Sequence, residues 1–323
     1  MNRQIDRMKP NSRIAGPASA GFSMVEMMVA VTVSLFVIGA LIAVVTGSSA
    51  TGRTRDRASE LQINGRFALE QIKNDLQHAG FLGISSLFFP DQPLSAGGIN
   101  VTSVCDSTTA GLLSQRVWGG NDTNPYSATC IPAANYSTGD VMVIRALSPA
   151  PVTAPFSSTL VYYHSSYEKG AAFKGPGTAT EIDCTGAVFR PPCQDYLLNE
   201  IVYYVSPYTN SSTESPTVPA LYRLRLGTGP AMIRELVAGG VENLQVRYGV
   251  FQTDSTARYL AADQISGTDW DAVKSAQVWL LMRASLPEPG YTNNNTYTMG
   301  TQNMTVNDSY PRLLLSAVVN LRN

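Results

Sequence analysis

Between Met27 and Gly52 the chain carries no charged side chain, and the longer stretch from Phe22 to Val45, FSMVEMMVAVTVSLFVIGALIAVV, holds Glu26 as its sole ion. At ~1.5 Å of rise per residue, about 20 helical residues cross a bilayer core, so this segment is long enough to span a membrane as a helix. Before it stands a polar leader with Arg3, Arg7, Lys9 and Arg13 against Asp6. Under the positive-inside rule that charge keeps the N-terminus on the cytoplasmic side. Arg53, Arg55 and Arg57 follow the run, so the contrast is modest. An ordinary secretory signal needs an apolar region of about 7–15 residues with small residues at a cleavage site after it. Here the run is longer, no clean A-x-A site follows, and a glycine, Gly21, stands directly before it.

That junction reads Gly21-Phe22-Ser23-Met24-Val25-Glu26. A basic leader, a glycine, an aromatic residue, a glutamate five positions after the glycine and a long uncharged run together resemble the prepilin signature of the type IV pilin and type II secretion pseudopilin superfamily. Two later blocks, RFALEQIKNDLQHAGFLGI (Arg66 to Ile84) and GGVENLQVRYGV (Gly239 to Val250), are most similar to PilW-type minor pilins. The resemblance implies that residues 1–21 are a leader removed after Gly21 by a prepilin peptidase, that the new Phe22 amine is methylated, and that residues 22–46 form a transmembrane and assembly helix. Glycine suits a cleavage site because a protease can approach its bare backbone closely. A carboxylate in an apolar span costs about 2.5–3.5 kcal/mol at the helix centre, so Glu26 calls for a partner. The family assigns it the Phe22 ammonium of a neighbouring subunit. Loss of the leader leaves 19 basic and 23 acidic side chains on 302 residues, a mildly acidic mature chain.

No proline interrupts the chain between Pro17 and Pro90, and Leu61, Gly65, Ala68, Leu69, Ile72, Leu76 and Ala79 recur at steps of three and four. One apolar stripe predicts an amphipathic continuation of the helix over residues 47–80, with Gly80 and Gly83 as its stop. Residues 81–323 read as a β-rich globular domain. Val141–Leu147, Leu160–Tyr163, Ile201–Val205, Leu221–Leu226, Asn243–Tyr248, Val278–Ala284 and Leu313–Leu321 are β-branched, aromatic or aliphatic runs between turn residues. In Leu221–Leu226 the alternation puts Arg223 and Arg225 on one exposed face. Asn210–Pro219 and Gly290–Asn303 read as surface loops. The expected fold is α+β and pilin-like: a long N-terminal helix packed on an antiparallel β-sheet domain.

Only 15% of residues are charged, the formal net charge is -1, and no long basic run is present, so nucleic acid is a poor partner. Two histidines, His78 and His164, leave little for base or ligand chemistry. His164-Ser165-Ser166 looks superficially hydrolytic, but neighbours on an extended chain point to opposite sides and no Gly-x-Ser-x-Gly elbow exposes a serine. His78 at a helix end is explained by the dipole, and Asp269 and Asp271 around Trp270 by the start of a short helix. No catalytic residue, cofactor or metal is expected. Cys105, Cys130, Cys184 and Cys193 suit a domain in an oxidising compartment. Four cysteines allow three pairings, and local closure favours Cys105 with Cys130 and Cys184 with Cys193.

The expectation is a minor pilin that initiates or caps type IV pilus assembly, and hence serves twitching motility. As the resemblance implies, its partners are other minor pilins, the major pilin, the prepilin peptidase and the inner-membrane assembly platform. It would sit in the inner membrane with its C-terminal domain periplasmic, and in the pilus, at the tip, after assembly. Two alternatives remain: a J-type minor pseudopilin of a type II secretion system, with the same N-terminal mechanics, and a membrane-anchored periplasmic enzyme.

Overall fold

The computed structural model describes residues 21–84, 105, 115–167, 170–175, 193–227, 231–251 and 256–321. Residues 1–20 of the leader expected over residues 1–21, and Cys184, lie outside them. Helix α1 is Met24–His78. Residues up to Arg53 form one compact unit and Thr54–Asn323 a second.

In the second unit the stripe anticipated from the sequence is the buried face. Leu61, Ala68, Ile72, Leu76 and Ala79 are buried, while Ile63 and Phe67 on the opposite face are exposed. Gly65 belongs to the stripe for a steric reason: a Cβ there would sit 2.5 Å from Leu315 Cδ1 and 3.0 Å from Met282 Cγ. The helix stops at Gly80, whose φ of +73° is open to glycine at little cost. Gly80 N–H then donates to the Arg145 carbonyl at 2.8 Å, and Leu147 N–H to the Phe81 carbonyl at 2.9 Å, so the chain leaves the helix stitched to a strand.

Thirteen strands follow among the described residues: β1 Val117–Gly120, β2 Val141–Leu147, β3 Val161–Ser165, β4 Gly170–Lys174, β5 Gln194–Ser206, β6 Ala220–Leu226, β7 Met232–Gly239, β8 Val241–Phe251, β9 Ala257–Leu260, β10 Val273–Arg283, β11 Thr296–Met299, β12 Gln302–Thr305 and β13 Arg312–Asn320. A seven-stranded sheet runs β1-β2-β5-β3-β4, with β6 joined to β5 and β7 to β6; a four-stranded sheet runs β13-β10-β8-β9; β11 and β12 form a hairpin. All these pairings are antiparallel. The protein is therefore α+β, as the sequence indicates. The loop expected over Gly290–Asn303 is the exception, since β11 and the start of β12 lie in it.

Every residue of β2 is buried, because both faces of its sheet are covered. Met142 and Ile144 join α1 in the main core, whereas Val141 and Val143 join a second cluster with Cys105, Tyr126 and Ile131. A strand covered on both faces reads as a continuous apolar run, which is why VMVIRAL lacks alternation. Arg145 is the polar exception: it lies fully buried opposite Glu200 of β5, with Nε 3.9 Å from Oε2. In the four-stranded sheet Leu244, Val246, Tyr248, Val278, Leu280 and Met282 face the same main core as the helix.

Candidate functional site

Three regions carry the residues singled out from the sequence. The first is the N-terminal unit. Gly21, Phe22 and every residue to Ser48 are exposed, including Phe22 at 85% and Phe36 at 82%. Such a continuous apolar surface is stable only against lipid or protein. Among the described residues α1 alone is long and apolar enough to cross a membrane. Ser23 N–H donates to Glu26 Oε2 at 3.3 Å. Ser-x-x-Glu at a helix start is the pattern of a capping box, in which a glutamate at the third helical position satisfies the N-cap amide. The sequence held that signal in Ser23-Met24-Val25-Glu26, where Glu26 was read only as an ion in search of a partner. No described residue offers Glu26 a cation.

The second region is the ionic lattice along the helix. Tyr203 O–H donates to Asp75 Oδ2 at 2.5 Å, and Arg223 Nη1 lies 3.7 Å from the same oxygen. Arg223 and Arg225 both bond Glu235, at 2.8 and 3.0 Å. The two arginines do share a face, as alternation requires. It is not a free face, however, because Asp75 from the distant helix and Glu235 from the adjoining strand β7 neutralise it. Burial raises the Asp75 carboxyl above the usual carboxylate range, partly offset by Tyr203 and Arg223. The Glu235 carboxyl is held below its ordinary value: burial opposes this, but the two arginines prevail. Nearer the start of the second unit, Arg312 bonds both Glu242 and Asp308, at 2.6 Å to each. Glu288 accepts from Thr54 and pairs with Arg57 at 4.0 Å.

The third region is the far face of the large sheet. Cys105 and Cys130 are disulfide-bonded there, stapling the segment that covers β2 and β5. Cys193 is also disulfide-bonded. The two histidines have structural partners. His164 Nδ1 lies 2.7 Å from Asp195 Oδ1 on the neighbouring strand β5. Ser165 O–H donates to the Leu82 carbonyl at 2.9 Å. His78 Nδ1–H donates to the Asn74 carbonyl at 2.7 Å, within its own helix. Trp270 is core, 4.9 Å from the Tyr248 ring centroid, and its flanking acids sit on a short 3-10 helix, Gly267–Ala272. Among the described residues no three His, Cys, Asp or Glu side chains are placed to hold a metal ion.

Sequence reasoning missed one acid. Asp140, nearly fully buried, accepts from Asp122 N–H at 2.9 Å and from Val246 N–H at 2.7 Å. It clamps the turn after β1 to β8. Burial pushes its carboxyl up to about 7; nearby Asp122 and Asp263 add to the rise, and the two amide donors oppose it.

Residues 202–323 match the family model of type IV pilus-assembly protein W, PilW. Over these 122 of its 323 residues the chain is similar to the PilW family. The PilW region takes in the end of β5 and all of β6 to β13, and so the arginine lattice, the Glu242–Arg312 cluster and the whole four-stranded sheet. It ties the chain to type IV pili in general. The GGVENLQVRYGV block lies inside it, spanning the Gly239-Gly240 turn and β8. No curated protein sequence matches the chain. Among solved structures, a type IV-like pilin from Thermus thermophilus is similar at 13% identity and a TM-score of 0.34, over 82% of this chain and 94% of that one.

Proposed function

We propose that the chain is a minor pilin that initiates or caps type IV pilus assembly and thereby supports twitching motility. The observation that carries this reading is the union, in one chain, of a wholly exposed apolar helix start bearing a lone carboxylate with a C-terminal PilW region. The leader is removed after Gly21 by the prepilin peptidase on the cytoplasmic face, and the Phe22 amine is methylated. Residues 22–46 then leave the inner membrane for a helical bundle shared with the major pilin, other minor pilins and the assembly platform. In that bundle the Phe22 ammonium of one subunit meets Glu26 of another, which offsets the burial of both charges. Residues 47–80 continue the helix and 81–323 are displayed in the periplasm, then at the pilus tip. A large head is accommodated more easily at a tip than in a closely packed repeat. The work is association and no bond is made. The PilW match favours pilus assembly over the J-type pseudopilin of type II secretion.

The mature N-terminus, measured by mass spectrometry, tests the assignment: N-methylated Phe22 is expected, and an intact leader or a distant cleavage site overturns it. Because Glu26 also caps its own helix, Glu26→Gln separates the two roles. Glutamine keeps an oxygen for the Ser23 amide but loses the charge. Pairing predicts that Glu26→Gln and Glu26→Ala both fail to enter filaments, whereas wild-type incorporation by Glu26→Gln leaves capping alone. A deletion strain is expected to lose pili and twitching with protein secretion intact.

A further inference from the structure

On the solvent side of β8, away from the main core, a cleft of about 310 Å³ opens between that strand, the turns at Asp122 and Thr138, and the β11–β12 hairpin. The size is at the low end of ordinary small-ligand sites. Its floor is Asn243 and Gln245, 7% and 4% exposed, both polar and both on a strand whose alternate residues build the core. The hairpin supplies Met299, Gln302 and Met304. Gly139, at φ +86°, lets the neighbouring turn press onto the strand: a Cβ there would meet the Leu244 carbonyl at 2.6 Å and Asn243 Oδ1 at 2.7 Å.

The hydrogen bonds orient the amides without ambiguity. The Asp122 carboxylate only accepts, so Gln245 Nε2 faces its Oδ1 at 2.6 Å and Gln302 Nε2 its Oδ2 at 2.6 Å. Gln245 Nε2 also donates to Asn243 Oδ1 at 3.1 Å. That chain leaves Asn243 Nδ2 as a donor and Gln245 Oε1 as an acceptor, and neither bonds a described residue. Both belong to side chains more than nine-tenths buried that line the cleft. Both atoms open onto the cleft, so their remaining hydrogen-bonding capacity is offered to whatever fills it, water or a ligand.

We infer that this cleft binds a saccharide, a neutral ligand whose adjacent hydroxyls take the Asn243 donor and the Gln245 acceptor while its C–H face rests on Met299 and Met304. The chemistry argues against other classes. None of the lining residues is cationic, and Arg247, next along the same face of β8, lies under the hairpin turn at Gly300 and not in the lining, so an anion would have no direct cationic contact. The lining carboxylate, Asp122, has both oxygens engaged by amides, so a metal ion would have to displace them. A purely apolar ligand would leave the amides unsatisfied. The site gives a subunit displayed outside the membrane something to hold, which goes beyond assembly itself.

The test uses the full chain in a detergent without sugar headgroups, titrated with methyl glucoside, methyl galactoside and N-acetylglucosamine. Saturation-transfer NMR reports on the sugars, and the ¹⁵N side-chain amide signals of Asn243 and Gln245 report on the protein. At least one sugar is expected to bind saturably at millimolar concentration and to shift both amide signals. Asn243→Ala should weaken binding roughly tenfold, as loss of one buried hydrogen-bonding group does. Thr138→Trp fills the cleft from its partly exposed rim, leaves the amide chain intact, and should abolish binding even where Asn243→Ala fails to fold. No binding by any of the three sugars, or binding that Thr138→Trp leaves unchanged, overturns the inference. Thr138→Trp should still enter filaments, so the assembly reading and the saccharide site fail separately.

Discussion

Asp140 should make the protein more stable in mild acid, and the size of the effect can be worked out. Its carboxyl ionises near 7 in the folded chain, because burial penalises the charge more than two backbone donors repay it, against 3.8 when exposed. Between those values the folded state holds a proton that the unfolded state has lost, so stability is greatest at low pH and falls as pH rises through 7. From pH 6 to pH 8 the folded-state proton is largely released while the unfolded carboxyl stays ionised. The linkage integral over that interval is about 1.4 kcal/mol. For a domain of this size it corresponds to a fall of about 3 to 5 °C in Tm. Thermal unfolding of the full chain in detergent micelles at pH 6, 7 and 8 measures the slope, and Asp140→Asn isolates it, since other titrating groups contribute equally to both proteins. The variant should be flatter by that amount. Parallel slopes for wild type and variant would refute the reasoning, because the buried carboxyl would then not be the group that titrates.

Ile72 is fully buried in the main core, so Ile72→Ala should cost about 2–5 kcal/mol in urea unfolding, whereas Phe67→Ala, on the exposed face, should stay within about 0.5 kcal/mol. Equal effects would mean that the helix presents a different face. Gly80→Ala forces a side chain into φ +73° and places its Cβ 2.8 Å from that of Arg116, so a loss of at least about 1–2 kcal/mol is expected by the same assay. Replacing Cys105 and Cys130 together with serine opens a closure of 25 residues and should cost about 3 kcal/mol, read as a lowered urea midpoint.

What was legible in the sequence depended on whether the signal was local. The helix stripe from Leu61 to Ala79 could be read because one face of a 3.6-residue period is buried, and even Gly65 fell into place on spacing alone. Strands such as β2 and β10 could be read because burial makes them apolar. By contrast β7, MIRELVAG, is an edge strand with Ile233 and Leu236 exposed, and its pattern signals neither helix nor strand strongly. The β11–β12 hairpin is built from threonine, asparagine and glutamine, which resemble loop composition.

Partnership was the harder quantity, because it lives between distant residues. Arg223 and Arg225 looked solvent-facing until Asp75 and Glu235 arrived from the helix and from β7. Asn243 and Gln245 present the same case in reverse. They stand on the face of β8 opposite Leu244 and Val246, where polar residues normally need no explanation. Only the return of residues 296–305 over that face turns two ordinary surface amides into buried ones with unspent hydrogen-bonding capacity. The segment read as a solvated loop therefore creates the one site whose chemistry a strand pattern could not announce. Removing the hairpin's grip on the loop, with Gln302→Ala breaking its bond to Asp122, should expose both amides and raise their solvent exchange while the core strands keep theirs. Unchanged exchange at Asn243 and Gln245 would mean that the hairpin does not bury them, and the cleft would lose its physical basis.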